Sequence, residues 1–206
     1  ERYMVSLDLS VIKCVVYDFD DTLVKTSILH ENAFREMFRT CGISIDFRYN
    51  EVAGLSTEAA IKKLVTEGHL SLSTAEFRKM VELKQTIFND YVSKSDINIS
   101  FGAIEAFEYF RGVEIPQYIL SNAASARLNF CVDRLNIGKY LDGVFSSSDI
   151  TPLKPDSGCY RRFSEKTNQP LEGTLVVDDC DYCRASASAV GCLTNTPNEF
   201  FGFFCE

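Results

Sequence analysis

A doubly wound α/β fold, with one helical segment inserted into it, is what the sequence predicts, and three observations predict it. Short apolar runs recur along most of the chain, helical patterns separate the later runs, and the stretch from Lys25 to Asp96 carries helix signals without a convincing strand. Strand and helix in alternation favour a parallel sheet with both faces covered, because each crossover lays a helix on the sheet.

Val11 to Tyr17 is a nearly unbroken apolar run that ends in acids, the pattern of a strand buried on both sides. Similar runs follow at Tyr118 to Leu120, Gly143 to Phe145 and Thr174 to Val177, with a weaker one at Gly191 to Leu193. Leu128, Cys131, Val132 and Leu135 form a helical stripe between two of them. In the inserted segment, Leu29, Ala33 and Met37 with Phe34, Phe38 and Cys41 make one apolar face. Ser56 followed by Glu58 starts a middle helix that Gly68 ends, and Ser73 with Glu76 forms a capping box before Phe77, Met80, Val81, Ile87, Phe88 and Tyr91. The tail Phe200 to Phe204 reads as core-packing material.

With 206 residues and 46% hydrophobic content the chain can build a core without covalent staples. A net charge of -8 argues against a nucleic-acid partner, since phosphate backbones are held by clustered Lys and Arg. The eight cysteines are scattered through apolar segments and read as reduced thiols. No secretory leader opens the sequence and no apolar run reaches membrane length, so a cytoplasmic location with no membrane partner is expected. On that expectation the Asn98-Ile99-Ser100 sequon is a chance match.

The chemistry concentrates in Asp18-Phe19-Asp20-Asp21-Thr22-Leu23, directly after the first strand. In an open parallel sheet, ligands bind beyond the carboxyl ends of the strands, and two carboxylates there at spacing two can converge on one metal or phosphoryl group. Ser121-Asn122, Lys154-Pro155 and Asp178-Asp179 each follow a later strand. Any one of them alone is better read as a helix cap or a solvated charge; their joint order of acid pair, hydroxyl, lysine and acid pair is hard to obtain by chance.

With DFDDTL, LSN, KP and VVDD as four motifs in that order, the sequence resembles the haloacid dehalogenase superfamily over nearly its whole length, in the branch of β-phosphoglucomutase and phosphoglycolate phosphatase. The resemblance implies a Rossmann-like core from residues 1–24 and 97–206 and a helical cap from 25–96. It implies hydrolysis of a small phosphomonoester through an aspartyl phosphate, with Asp18 as nucleophile and Asp20 as acid/base. It also implies Mg2+ held by Asp18, the Asp20 carbonyl and Asp179, with Asp178 close by. Ser121, Thr22 and Lys154 would stabilise the phosphoryl oxygens. Asn122 and His30 are expected at the substrate, His30 at a position where many capped relatives carry a site-facing histidine; Lys25 and Thr26 fall at the hinge.

Two rival readings are a phosphosugar mutase and a non-catalytic binding module. The cap loop Gly54-Leu55-Ser56-Thr57 has Thr57 where such mutases place an arginine, and every motif residue survives, so hydrolysis is favoured. Asp21 departs from the glycine common at its position, and Cys183 stands where some relatives have an acid. Cys180-Asp181-Tyr182-Cys183 is formally a C-x-x-C, but no second pair completes a zinc site, and its oxidation would be expected to disturb Asp179.

Overall fold

The computed structural model describes residues 8–205. It divides into two compact units, one formed by the chain up to Leu23 and from Ile99 onward, the other by Val24–Asn98.

The first unit is built on a five-stranded parallel sheet in the order β3-β2-β1-β4-β5. The strands are β1 (Cys14–Tyr17), β2 (Gln117–Leu120), β3 (Gly143–Phe145), β4 (Thr174–Val177) and β5 (Leu193–Asn195). β1 lies at the centre, in register with β2 through Val16 and Tyr118 and with β4 through Val16 and Val176. All four of its residues are buried, as a strand covered on both faces requires.

Successive side chains of β1 serve opposite faces. Cys14 and Val16 join Tyr118, Leu120, Phe163 and Val176 in one core cluster. Tyr17 faces the other way, edge-on to Phe107 at 5.1 Å and packed against Phe200 and Phe201 at 6.0 and 6.3 Å. Phe200 and Phe201 are buried while Phe203 is half exposed, so the core reading of the aromatic tail holds for its first half.

The Tyr17 hydroxyl donates to Gln117 Oε1 at 2.8 Å in this dry setting, and the Gln117 amide donates to the Phe107 carbonyl at 2.9 Å. Tyr17→Phe would leave Gln117 Oε1 short of its buried donor. An expected loss of about 1–3 kcal/mol follows, checked by urea unfolding; a variant as stable as wild type would contradict it.

Two strands, β1 and β5, differ from expectation by more than one residue. Val11 is not in β1, because Asp8 accepts a hydrogen bond from Ser10 N–H and caps a 3-10 turn at Leu9–Val11. The last strand starts at Leu193, and Gly191 takes a positive φ of 95° in the turn before it. β5 is an edge strand whose Thr194 and Asn195 carry no apolar signal.

Helices of this unit are α4 (Ala103–Gly112), α5 (Ser125–Arg134), α6 (Gly158–Thr167), α7 (Asp181–Ser188) and α8 (Pro197–Gly202). The second unit contains α1 (Ser27–Thr40), α2 (Thr57–Thr66) and α3 (Thr74–Lys94) around Phe34, Met37, Phe38, Ile61, Leu64 and Met80. Ser56 caps α2 and the Ser73–Glu76 capping box starts α3, as their patterns predict. The buried stripe of α3 is Met80, Lys84, Phe88 and Val92, so a lysine sits where an apolar pattern would not place one. Its ammonium lies 4.7 Å over the Phe34 ring and 4.5 Å over Phe88, contacts that offset its burial. No helix of the described residues is long and apolar enough to cross a membrane.

Candidate active site

The strand order decides where the site can be. The chain adds β2 and β3 on one side of β1, then jumps across to β4, so the topology reverses between β1 and β4. A crevice opens at the carboxyl ends of strands at such a reversal. Asp18 leaves β1 there and Asp178 and Asp179 leave β4, with the Asp18 N–H bonded to the Val177 carbonyl at 2.9 Å. Carboxylate oxygens of Asp18, Asp178 and Asp179 all lie within 4.8 Å of one another.

Lys154 reaches into this cluster from the loop after β3. Its ammonium is 2.8 Å from Asp18 Oδ1 and 2.6 Å from Asp178 Oδ2, and its side chain is only 4% exposed. Desolvation disfavours its charge, yet Asp178 and Asp18 hold its pKa well above the ordinary lysine value. Burial, reinforced by Asp178 and Asp179, pushes Asp18 well above the usual carboxylate range against the pull of Lys154. Asp178 is engaged on both oxygens, by Lys154 and by the Cys180 N–H at 2.9 Å.

Two residues expected at the phosphoryl group or substrate also make defined contacts within the protein. Thr22 is buried and exchanges two hydrogen bonds with Asp179: its hydroxyl donates to Oδ1 at 3.3 Å and accepts from the Asp179 N–H at 3.1 Å. Thr22 therefore orients Asp179, which no reading of the first motif alone could reveal. Asn122 clasps the Lys154 backbone, donating to its carbonyl at 2.8 Å and accepting from its N–H at 3.1 Å. That contact spans 32 residues of sequence and fixes the root of the lysine. Ser121 is buried at the end of β2 with its hydroxyl accepting from the Ala123 N–H at 3.2 Å.

Asp21 adopts φ 60°, a left-handed turn in which glycine is easier than aspartate, so its departure from the common residue leaves the turn in place. Asp20 is gripped by Arg127 of α5, whose Nη1 and Nη2 lie 2.9 and 2.8 Å from its two oxygens. Sequence reasoning missed Arg127. The only available signal was a basic residue one turn into the helix after the second motif, and 107 residues separate the pair.

Within the helical unit, the His30 ring stacks on Phe88 at 3.8 Å and its Nδ1 lies 2.7 Å from the Lys84 ammonium. An ammonium can only donate, so a charged Lys84 makes Nδ1 the acceptor of this contact. All eight cysteines are free thiols. The sulfurs of Cys180 and Cys183 and a carboxylate oxygen of Asp178 also lie within 4.8 Å of one another. The Cys183 thiol donates to Cys180 and holds it down to about 6, while Cys183 itself is raised. With Asp178 already committed to Lys154, this grouping lacks the four ligands a structural zinc would want.

The profile of the haloacid dehalogenase-like hydrolase family matches residues 15–194, from the first strand to the last. The chain belongs to that family. It is 24% identical over 179 residues to the 6-phosphogluconate phosphatase of Escherichia coli, covering 83% of this chain and 76% of that protein. It is 21% identical to a phosphorylated carbohydrates phosphatase of Thermotoga maritima, covering 87% of this chain and 82% of the relative. A β-phosphoglucomutase from Clostridium difficile shares the fold with a TM-score of 0.77 at 17% identity, over 89% of this chain and 83% of its own.

Proposed function

We propose that this chain hydrolyses phosphomonoesters of small metabolites, sugar phosphates foremost, through an aspartyl phosphate formed on Asp18. The observation that carries this reading is the convergence of Asp18, Asp178 and Asp179 within 4.8 Å around the buried Lys154. Phosphatases of phosphorylated carbohydrates among the relatives support the substrate class.

The donor set fits a hard divalent cation. All its ligand atoms are oxygens, and four carboxyl groups, Asp18, Asp20, Asp178 and Asp179, stand against two cationic side chains, Lys154 and Arg127. Asp18 and Asp179, with the Asp20 carbonyl, would hold Mg2+, while Asp178 stands behind them on Lys154. When bound, the cation supplies neutralisation of the charge on the phosphoryl oxygens.

Every other step falls to side chains. An oxygen of the Asp18 carboxylate attacks phosphorus in line with the ester oxygen, dividing one displacement into two. Lys154 and Ser121 stabilise the phosphoryl oxygens as charge shifts between them. Asp20 gives its proton to the leaving alkoxide, then takes one from the water that attacks the acyl phosphate. We assign the helical unit the role of a cap that admits substrate and excludes water. Thr57, the first residue of α2, supplies no second phosphate-holding arginine, which favours hydrolysis over mutase chemistry.

Phosphate release from a panel of sugar phosphates, phosphorylated acids and nucleotides, with and without Mg2+, tests the reading. Cation-dependent release with sugar phosphates among the best substrates is expected; no release from any ester would leave only a binding module.

The cation makes a second prediction. Desolvation, with Asp178 and Asp21 adding, raises Asp179 to about 6 although its outer edge meets solvent. A folded-state value above the unfolded one means stability is lost as pH rises through about 6, and the deficit persists above it. A divalent cation that binds the ionised group removes that deficit. Mg2+ should therefore raise the melting temperature at about pH 7.5 and do so less at about pH 5, where Asp179 holds a proton. Equal shifts at both pH values would contradict the assignment of Asp179 as a ligand.

A further inference from the structure

The Asp20–Arg127 pair is built in a way that simple charge neutralisation would not require. The two guanidinium nitrogens meet the two carboxylate oxygens at 2.9 and 2.8 Å, the parallel fork that fixes a carboxylate in both direction and plane. The mount is rigid: α5 is anchored by Leu128, Cys131 and Val132, all buried, and the Arg127 side chain is 9% exposed. Asp20, by contrast, belongs to a tight turn, followed at once by Asp21 in a left-handed conformation, and its side chain is 23% exposed. The arrangement puts the restraint on the arginine side, with the more exposed carboxylate aimed by a buried cation.

We propose that Arg127 is a positioning residue for the reaction, aiming the Asp20 carboxylate so that it can exchange a proton with the ester oxygen and then with water. The proposal rests on the reading of Asp20 as the acid/base group. General acid/base work tolerates little misplacement, since a shift on the order of 1 Å can cost about a hundredfold in rate. Lysine could match the charge but not the fork, so the two basic residues are not equivalent here.

Esters that differ only in their leaving group separate this role from others. 4-Nitrophenyl phosphate releases a stable phenolate and needs little help from an acid, whereas glycerol 1-phosphate releases an alkoxide that must be protonated. The ratio kcat/KM covers only the steps through cleavage of the ester bond, so the later attack of water does not blur the comparison. Asp20→Asn should lose roughly 10²- to 10⁴-fold on the alkyl ester and far less on the aryl ester. Arg127→Gln and Arg127→Lys should show the same selectivity at about tenfold or more, and the double variant Asp20→Asn/Arg127→Gln should be no worse than Asp20→Asn. Arg127→Lys keeps a cation beside Asp20 and carries the test if the glutamine variant does not fold. Equal losses on both esters, or losses that multiply in the double variant, would overturn the proposal in favour of a structural or direct phosphate-binding role. An Asp20→Asn variant without leaving-group selectivity would instead remove the acid/base reading itself, and the proposal with it.

Discussion

Asp18→Asn is expected to lower turnover by at least roughly 10⁴-fold, the scale on which removal of a covalent nucleophile is felt. The fold should survive the change. Asp18 is not one of the buried apolar side chains that hold β1 between its two cores, and its N–H bond to Val177 is made by the backbone. Removing a buried carboxylate relieves first its desolvation and then its repulsion with Asp178 and Asp179, which together outweigh the lost attraction to Lys154, so an unfolding midpoint equal to or above that of wild type without cation is expected. Single-turnover phosphate release with a saturating sugar phosphate measures the first expectation and urea unfolding the second. Turnover within tenfold of wild type would show that Asp18 does not form the covalent bond.

Lys154→Met should act on stability as strongly as on rate. The ammonium pairs with Asp18 and Asp178 at 2.8 and 2.6 Å, with Asp178 only 1% exposed. Removing one partner of a buried ion pair leaves an uncompensated charge and costs about 3–5 kcal/mol. The sign with pH follows: Asp18, already pushed above the carboxylate range by burial, takes up a proton more readily once the lysine is gone. A protonated Asp18 needs no counter-charge, so the deficit should shrink as pH falls and grow towards neutrality. Turnover should fall on the order of 10²- to 10³-fold through lost stabilisation of the phosphoryl oxygens. A variant that unfolds like wild type at neutral pH would contradict the buried pairing.

The parts of this molecule that were legible in the sequence share a cause. β4 at Thr174–Val177 coincides with its apolar run because a strand inside a covered sheet must be apolar along its whole length; β3 at Gly143–Phe145, an edge strand of intermediate burial, keeps its apolar run without that requirement. β1 was overextended because Val11 is apolar, yet the cap supplied by Asp8 turns the chain there. β5 was displaced because an edge strand escapes that requirement, and Thr194 and Asn195 give no hydrophobic pattern. The site acids were legible for a related reason: each follows directly on a strand, so its position along the sequence translates into a position in space.

What stayed hidden depends on contacts between distant segments. Nothing local marks Asn122 as the clasp of Lys154, Thr22 as the orienting partner of Asp179, or Arg127 as the fork on Asp20. Lys84 was hidden differently, since a lysine buried among Phe34 and Phe88 contradicts the polar reading that its type suggests. In each case a polar group is satisfied by a partner that sequence spacing cannot supply.

The most direct test is to quench the enzyme during turnover of a sugar phosphate, reduce with borohydride and map the product by peptide mass spectrometry. Borohydride converts an aspartyl phosphate to homoserine and leaves a free carboxylate untouched. Homoserine at position 18, absent without substrate, is the predicted result; an unmodified Asp18, or the label on any other residue, would contradict it.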